Sequence, residues 1–353
     1  MTEQLRIGLI GAGWWSTDYH LPGLLSHPNA RAAAICDRDL QRLEAAAKAY
    51  QIGAVYTDHR EMLAREDLDG VIVVTPHKTH AALARDVLES GRHLLLEKPM
   101  TLLARDARDL VELARAKGRE IVMGYHTPFY RHAMRGREVI AGGEFGPVQY
   151  VDCSYCSNLT HFLSGSVSEE TPSLERFAVN PPSTSYNSVE EMGGGLGHLN
   201  LTHGLGLMFF VTGLRAKRVQ AVMANLGRAL DMVDAISVEF SNGALGIVGG
   251  TGNAVNTWRT SLAAYCENGA YLFDSWAGFA GLRRRDGTRE ALDLKPAGET
   301  RYLNTHGFID CIRGAQANPA PGELGWAAVE LLDAAYRSAR EGGRPVEIAE
   351  LYA

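Results

Sequence analysis

The sequence predicts an α/β protein: an N-terminal Rossmann-type doubly wound parallel sheet, then an α/β domain with a large, mostly antiparallel open sheet. Three observations predict it. The strand-like run Leu5-Arg6-Ile7-Gly8-Leu9-Ile10 enters the glycine turn Gly11-Ala12-Gly13-Trp14-Trp15-Ser16. Apolar runs then alternate with helical patterns up to about residue 125. From Val148 onward, β-rich stretches follow one another instead.

Each element has its own warrant. The first glycine permits a tight turn, the second lets a pyrophosphate approach the backbone, and the helix start that follows offers unpaired N–H groups to its charge. Ser16 stands where a third glycine usually serves close packing of helix on strand, and a small serine fits that place. Ala32 to Cys36 reads as a second strand. Asp37 ends it about 20 residues beyond the glycines, where a carboxylate accepts hydrogen bonds from an adenosine ribose. Asp37 favours NAD, while Arg38 beside it leaves room for a 2′-phosphate, so NADP stays open. Asp39 to Tyr50 is an alanine-rich helix, and Val71 to Val74 suits a central parallel strand ending in Thr75-Pro76-His77. Thr79 to Ser90 reads as a helix stopped by Gly91, Leu94 to Leu96 as a strand, Leu103 to Lys117 as a helix stopped by Gly118, and Glu120 to Met123 as the last strand before Gly124. The expected division is residues 1–125 for the dinucleotide and 126–353 for substrate and assembly.

In the second half, Val148 to Cys156, Val219 to Met223, Ala235 to Phe240 and Ala244 to Val248 read as strands, with Ser241-Asn242-Gly243 as a hairpin turn. Asn158 to Met192 is a long polar connection, of the kind that usually binds or assembles. A helix is expected to begin near Gly193-Gly194-Gly195, and others over Asn304 to Arg313 and Gly325 to Glu341.

Composition narrows the function. A chain of 353 residues, 46% hydrophobic and 22% charged, is long enough for two cores. The 35 Lys and Arg against 41 Asp and Glu give a formal charge of −6 and no basic field, which argues against nucleic acid as a partner. No apolar stretch approaches a membrane span, and the first strand starts within a few residues of Met1, so a cytoplasmic location is expected. Five cysteines form no disulfide framework; Cys153 and Cys156, three apart on a strand, face opposite ways, and no metal site is expected.

The residues Glu97-Lys98-Pro99 carry the chemistry. They follow Leu94-Leu95-Leu96 and so place a lysine at the carboxyl end of a buried parallel strand, where open α/β sheets bind ligands. Proline turns the chain out of the sheet and holds Lys98 in a loop.

Gly11-Ala12-Gly13, His20-Leu21-Pro22, Asp37, Thr75-Pro76 with His80, Glu97-Lys98-Pro99, the Gly142 to Gly146 turn and Gly193-Gly194-Gly195 followed by His203 together resemble the Gfo/Idh/MocA family, named for glucose-fructose oxidoreductase, inositol dehydrogenase and rhizopine catabolism. The resemblance covers essentially the whole chain. It implies NAD or NADP between two domains, oxidation or reduction of a secondary alcohol of a sugar or polyol, and a homodimer or homotetramer assembled through the open sheet.

Hydride leaves a carbinol carbon only if the hydroxyl proton also leaves, so a base must reach that oxygen. His203, with an ordinary pKa near 6.5, is the candidate base, and Lys98 the group that stabilises the developing alkoxide. Relatives commonly carry Asp four residues before this histidine; here that position is Leu199, and Gly206 stands where a second Asp often follows. Asn200, three residues before His203, is the polar neighbour on that face, and His198 is expected to point elsewhere. Further candidates are Thr75 and Pro76 beside the cofactor, His77 and His80 bordering nicotinamide or capping a helix, and Gly124 and His126 at the last strand end. Trp14 and Trp15 either flank the pyrophosphate or pack, and Tyr186, Asn304 and His306 are candidate substrate contacts. Two alternatives to a dehydrogenase stay open: a glycosidase that oxidises transiently and eliminates, and a non-catalytic dinucleotide sensor.

Overall fold

The computed structural model describes residues 4–164, 187–255, 257–298 and 301–353. Six parallel strands, β1 (Leu5–Ile10), β2 (Ala30–Cys36), β3 (Ala54–Tyr56), β4 (Gly70–Val73), β5 (His93–Leu96) and β6 (Ile121–Met123), form one sheet in the order β3-β2-β1-β4-β5-β6. Ile7, Leu9, Ile72, Val73 and Leu94 to Leu96 have no solvent exposure, as strands covered on both faces require. The order reverses between β1 and β4, and their carboxyl ends open a crevice there.

Helices cover both faces. Leu40–Tyr50 starts at Asp39, whose carboxylate accepts the Arg42 N–H at 3.1 Å. Ala104–Lys117 stops at Gly118, which takes φ 59°. β4 starts and ends one residue earlier than the sequence pattern suggests, releasing Val74 into the loop, where its N–H still donates to Ile10 O at 2.8 Å. Ser16, at the third-glycine position, is fully buried and donates its hydroxyl to Gly11 O at 2.6 Å, tying the turn to the helix that leaves it.

Nine strands form the second sheet: β7 (Val148–Cys156), β8 (Ala216–Ala224), β9 (Val233–Phe240), β10 (Leu245–Thr251), β11 (Arg259–Cys266), β12 (Gly269–Asp274), β13 (Phe279–Arg284), β14 (Arg289–Ala291) and β15 (Val346–Glu347). Their order is β14-β13-β12-β11-β7-β10-β9-β8-β15, antiparallel except for the β7–β10 pair. Gly243, at φ 87°, closes the β9–β10 hairpin. One face packs on the helix Thr202–Thr212, in which all but His203 is buried; an apolar helix of this kind belongs inside a core. The other face is partly apolar. Tyr265, Tyr150 and Leu245 sit side by side across β11, β7 and β10, all exposed.

The helical path expected near the triple glycine begins just past it, at Gly197. A single short helix, Val189–Met192, ends at Gly193 with φ 74°, and the helical path resumes as a wide π-turn, Gly197–Leu201, that runs into Thr202–Thr212. Close approach explains the glycines: a Cβ on Gly194 would lie 2.0 Å from Tyr336 Oη, and one on Gly195 2.0 Å from Asp231 O. The helix expected from Gly325 begins earlier and spans Gly322–Arg340. Among the described residues no helix is long and apolar enough to cross a membrane.

Gly11 is the tightest point of the first sheet, with φ 105° and a hypothetical Cβ only 2.0 Å from Val74 O. Gly11→Ala should cost about 3 kcal/mol or more, read as a lowered midpoint of chemical unfolding followed by tryptophan fluorescence. Unchanged stability would contradict this turn geometry.

Candidate active site

A cavity of about 1440 Å³ runs from the crevice above β1 and β4 to the inner face of the second sheet. Gly11, Gly13, Trp14, Asp37 and Arg38 line one end, Thr75, Pro76, His77 and Lys98 the middle, and His126, Asn200 and His203 the other end. The Gly13 backbone faces open space, since a Cβ there would meet nothing within 4 Å. Asp37 shapes the turn as well as the wall: Oδ2 accepts the Ala12 N–H at 2.7 Å and Oδ1 the Asp39 N–H at 2.9 Å.

Glu97 organises the centre. It is 6% exposed, and its Oε1 accepts from Trp15 Nε1 at 3.0 Å and from His20 Nε2 at 3.1 Å, while Oε2 accepts the Lys98 N–H at 3.2 Å. Burial alone would raise the carboxyl, but the His20 hydrogen bond and the positive fields of His20 and Lys98 overcome it and hold the pKa at about 2. Gly124 makes room for this group, because any Cβ there would come within 2.6 Å of the carboxylate. Its place is therefore behind Glu97; it is not among the residues that line the cavity.

Lys98 Nζ donates to Leu199 O at 2.9 Å. The position where relatives carry a carboxylate thus supplies a main-chain oxygen, and the Leu199 side chain is 3% exposed. Burial lowers the Lys98 pKa while Glu97 pulls it upward. The His203 imidazole is held well below its usual range, first by burial and then by Lys98 and His126. His126, whose ring is stacked 6.3 Å from that of His203, is lowered to about 4, mainly by burial. Both rings are neutral near pH 7. Asn200 Nδ2 donates to Ser157 Oγ at 2.7 Å, which fixes the amide at the cavity wall. A side chain longer than glycine at position 206 would collide with Tyr125, whose ring atoms lie 3.0 Å from a Cβ built there.

Other residues singled out in the sequence sit elsewhere. His80 is fully buried and outside the lining; its nitrogens contact Pro99 O at 2.7 Å and Thr75 O at 2.9 Å, joining the two loops that border the cavity. His77 lies on the wall with Nδ1 3.0 Å from Met192 O, which links the two halves of the chain. Trp15 stacks on Tyr19 at 4.8 Å, anchored by its bond to Glu97. His306 does not reach the cavity, because its face of the helix Leu303–Ile312 turns to Gly23 O, 3.1 Å away, and Ser26 Oγ, 2.9 Å away. Asn304 is fully buried and also outside the lining. His198 points away as the spacing suggests, stacking on Tyr336 at 4.6 Å. Tyr186 lies outside the described residues. Cys153 is buried and Cys156 half-buried, both as free thiols. Among the described residues no cluster of His, Cys, Asp or Glu is arranged to hold a metal ion.

Asp231 was not legible as a site-shaping residue. Its carboxylate accepts the Gly195 N–H at 2.6 Å, the Gly197 N–H at 3.1 Å and the Tyr336 hydroxyl at 3.0 Å, so it fixes the start of the segment that carries Asn200 and His203. Only an exposed-looking Asp before a strand marks it in the sequence.

A glycine turn at a switch point, leading through a long cavity to a lysine and neutral imidazoles, defines a dinucleotide-dependent enzyme. Residues 5–125 match the oxidoreductase family with an NAD-binding Rossmann fold, and residues 134–272 the GFO/IDH/MocA C-terminal domain. The chain belongs to this family, the Gfo/Idh/MocA oxidoreductases, and is an NAD(P)-binding oxidoreductase. It is 31% identical over 156 residues to dTDP-3,4-didehydro-2,6-dideoxy-alpha-D-glucose 3-reductase of Streptomyces antibioticus, a match spanning 44% of this chain and 47% of that protein. The match therefore spans about half the length of this curated relative. Its fold is that of an oxidoreductase domain protein from Kribbella flavida, with a TM-score of 0.82 and 21% identity over 99% of this chain and 100% of the other. A levoglucosan dehydrogenase in complex with NADH superposes with a TM-score of 0.80 and 17% identity over 98% of this chain and 99% of the other.

The Glu97 carboxyl titrates lower in the folded chain than in the unfolded one, from 4.5 to about 2, so its stabilisation is complete above pH 4.5 and is lost as pH falls toward 2. Glu97→Gln should remove about 3 kcal/mol of this pH-dependent term and flatten stability between those values, measured by urea unfolding at a series of pH values. An equally steep acid limb in the variant would remove Glu97 from this role.

Proposed function

We propose that this chain reversibly oxidises a secondary hydroxyl of a sugar, glycoside or polyol, with Lys98 and His203 as the catalytic pair and NAD as hydride acceptor. The observation that carries the reading is that Lys98, Asn200, His126 and His203 all line one cavity that also takes in the Gly11–Gly13 turn. The turn fits the cofactor, because Gly13 leaves its backbone open to the cavity and Asp37 lies on the wall beside it. Gly11, Ala12, Gly13, Trp14, Asp37, Arg38, Thr75, Pro76 and His77 would hold the dinucleotide, which supplies a hydride acceptor. On this reading residues 1–125 serve the cofactor, and 126–353 the substrate and assembly.

The chain's own groups account for the proton. Neutral His203 takes it from the substrate hydroxyl, and the Lys98 ammonium, oriented by Leu199 O, stabilises the alkoxide as charge develops. Asn200 and His126 orient the ring hydroxyls beside the reacting carbon. Lys98→Ala should lower kcat about 10²- to 10⁴-fold while changing NAD affinity little, read by NADH absorbance and by fluorescence titration of NAD. Equal losses in both would make Lys98 a cofactor ligand instead. The working form of His203 is the unprotonated one, and its pKa lies below 6.5, so activity should persist as pH falls through that value. The working form of Lys98 is protonated, so the alkaline limb of kcat/KM should fall below 10.5.

The exposed sheet face supports a homodimer or homotetramer. Tyr150, Val222, Leu245, Ile247 and Tyr265 expose between 38% and 66% of their surface there, an apolar patch of the kind that marks assembly. Light scattering should give a dimer or tetramer mass, and Ile247→Arg should shift it to the monomer; a monomeric native chain would exclude the assembly.

A further inference from the structure

Charge is distributed unevenly along the cavity. Among the described residues, every charged one that lines it lies at or before Lys98, including Asp37, Arg38, Arg42, Arg60 and Lys78, all contributed by the first sheet's loops and helices. Beyond Lys98 the described lining residues contain no Asp, Glu, Lys or Arg. Instead Tyr130, Tyr155, Leu159, Trp258, Phe273 and Leu294 form an aromatic and aliphatic chamber, with His132, Thr260 and Ser275 as neutral polar groups among them. Two nearby cations are committed elsewhere: Arg259 forks onto Asp274 at 3.1 and 2.6 Å, and Arg131 reaches Asp293 at 3.3 Å. The imidazoles add no charge. His132, 2% exposed, is bonded through Nδ1 to Tyr271 Oη at 2.7 Å and stacked on Phe273 at 4.5 Å, and its pKa is lowered to about 4 by burial. Lys98 itself stands beside the buried Glu97 carboxylate, so that pair is neutral overall.

A phosphate or carboxylate brought into this chamber would lose its hydration and, among the described residues that line it, meet no forked cation to replace it. Aromatic walls instead favour the C–H face of a pyranose ring or an apolar substituent on it. Trp258, 56% exposed at the open side, offers the largest such surface. Resting on the dehydrogenase reading of this site, we infer that the substrate is an uncharged pyranoside bearing an apolar aglycone, which packs against Trp258 and Phe273, and that sugar phosphates, sugar acids and nucleotide sugars are excluded.

The test uses the full chain loaded with NADH and a calorimetric panel of methyl pyranosides, phenyl pyranosides, pyranose 6-phosphates and uronic acids in the gluco, galacto, manno and xylo series where each exists. In the preferred series the phenyl pyranoside should bind about tenfold tighter than the methyl pyranoside, equivalent to roughly 1.4 kcal/mol of stacking, and the charged members about 100-fold weaker or not at all. Trp258→Ala and Phe273→Ala should each bring the phenyl-to-methyl ratio toward one. Charged members that bind as well as neutral ones, no phenyl preference, or no binding across the panel would each overturn the inference. Turnover with NAD, measured in parallel, separates it from the reading beneath it. NAD reduction by a sugar phosphate sinks the inference and keeps the dehydrogenase, whereas selective binding of phenyl pyranosides without NAD reduction sinks the dehydrogenase and keeps the inference.

Discussion

The geometry of the cavity depends on one buried carboxylate. Glu97 accepts hydrogen bonds from Trp15, His20 and the main chain of Lys98, and so holds the Trp15–His20 stretch against the carboxyl end of β5. A charge at this depth survives only because each lone pair in use has a donor and positive groups surround it. The requirement propagates outward. Position 124 has to be glycine to leave space for the carboxylate, and His20 is held in turn against Thr305 Oγ1 at 2.9 Å, which locks the helix Leu303–Ile312 to the first domain. With Glu97 fixed, Lys98 can only project toward the second half of the chain, where it meets Leu199 O.

That meeting rests on an irregularity. Leu199 belongs to the wide π-turn Gly197–Leu201, and its main-chain oxygen accepts from Lys98 Nζ. Asp231 holds the turn from below through Gly195 and Gly197. A carboxylate at position 199 is unnecessary for orienting Lys98, since a main-chain dipole already does so. The exchange also removes a negative charge that would otherwise raise the pKa of His203, and it helps leave that ring neutral.

The first sheet was legible because its signals are local. Continuous apolar runs, glycine stops and the Gly11–Gly13 turn each act over a few residues, and the strands they mark differ from the observed ones by one or two residues, as at β2 and β4, whereas the three-residue edge strand β3 carries no such run and was missed. The departures lie where distant segments decide the outcome. The helix start near the glycines at 193–195 was legible, but the reason for them was not: Gly194 lets Tyr336 approach and Gly195 the Asp231 main chain, contacts more than 30 residues away in sequence. His306 read as a substrate contact because helix periodicity gives a face and not a neighbour; the neighbour is the helix Leu21–Ser26. Strands β11 to β14 carry Thr260, Phe273 and Ser275 to the cavity, and nothing in their short alternating patterns marks those three side chains.

The electrostatics of the site set how its proposed base can behave. His203 faces a lysine and a second imidazole in a half-buried setting, so its protonated form is disfavoured and its proton affinity is low. Taken alone, that makes it a weak base for an alcohol. The substrate side of the problem moves in the opposite direction, because the Lys98 ammonium that weakens His203 also stabilises an alkoxide within its reach. The two effects offset: the same positive charge lowers the affinity of the acceptor for the proton and lowers the affinity of the donor. What remains is a proton transfer whose balance is governed by geometry, namely how much closer Lys98 lies to the substrate oxygen than to His203. Leu199 O, by accepting from Nζ, holds the ammonium in place, so a main-chain carbonyl in a π-turn bears on the chemistry proposed for a side chain four residues further on.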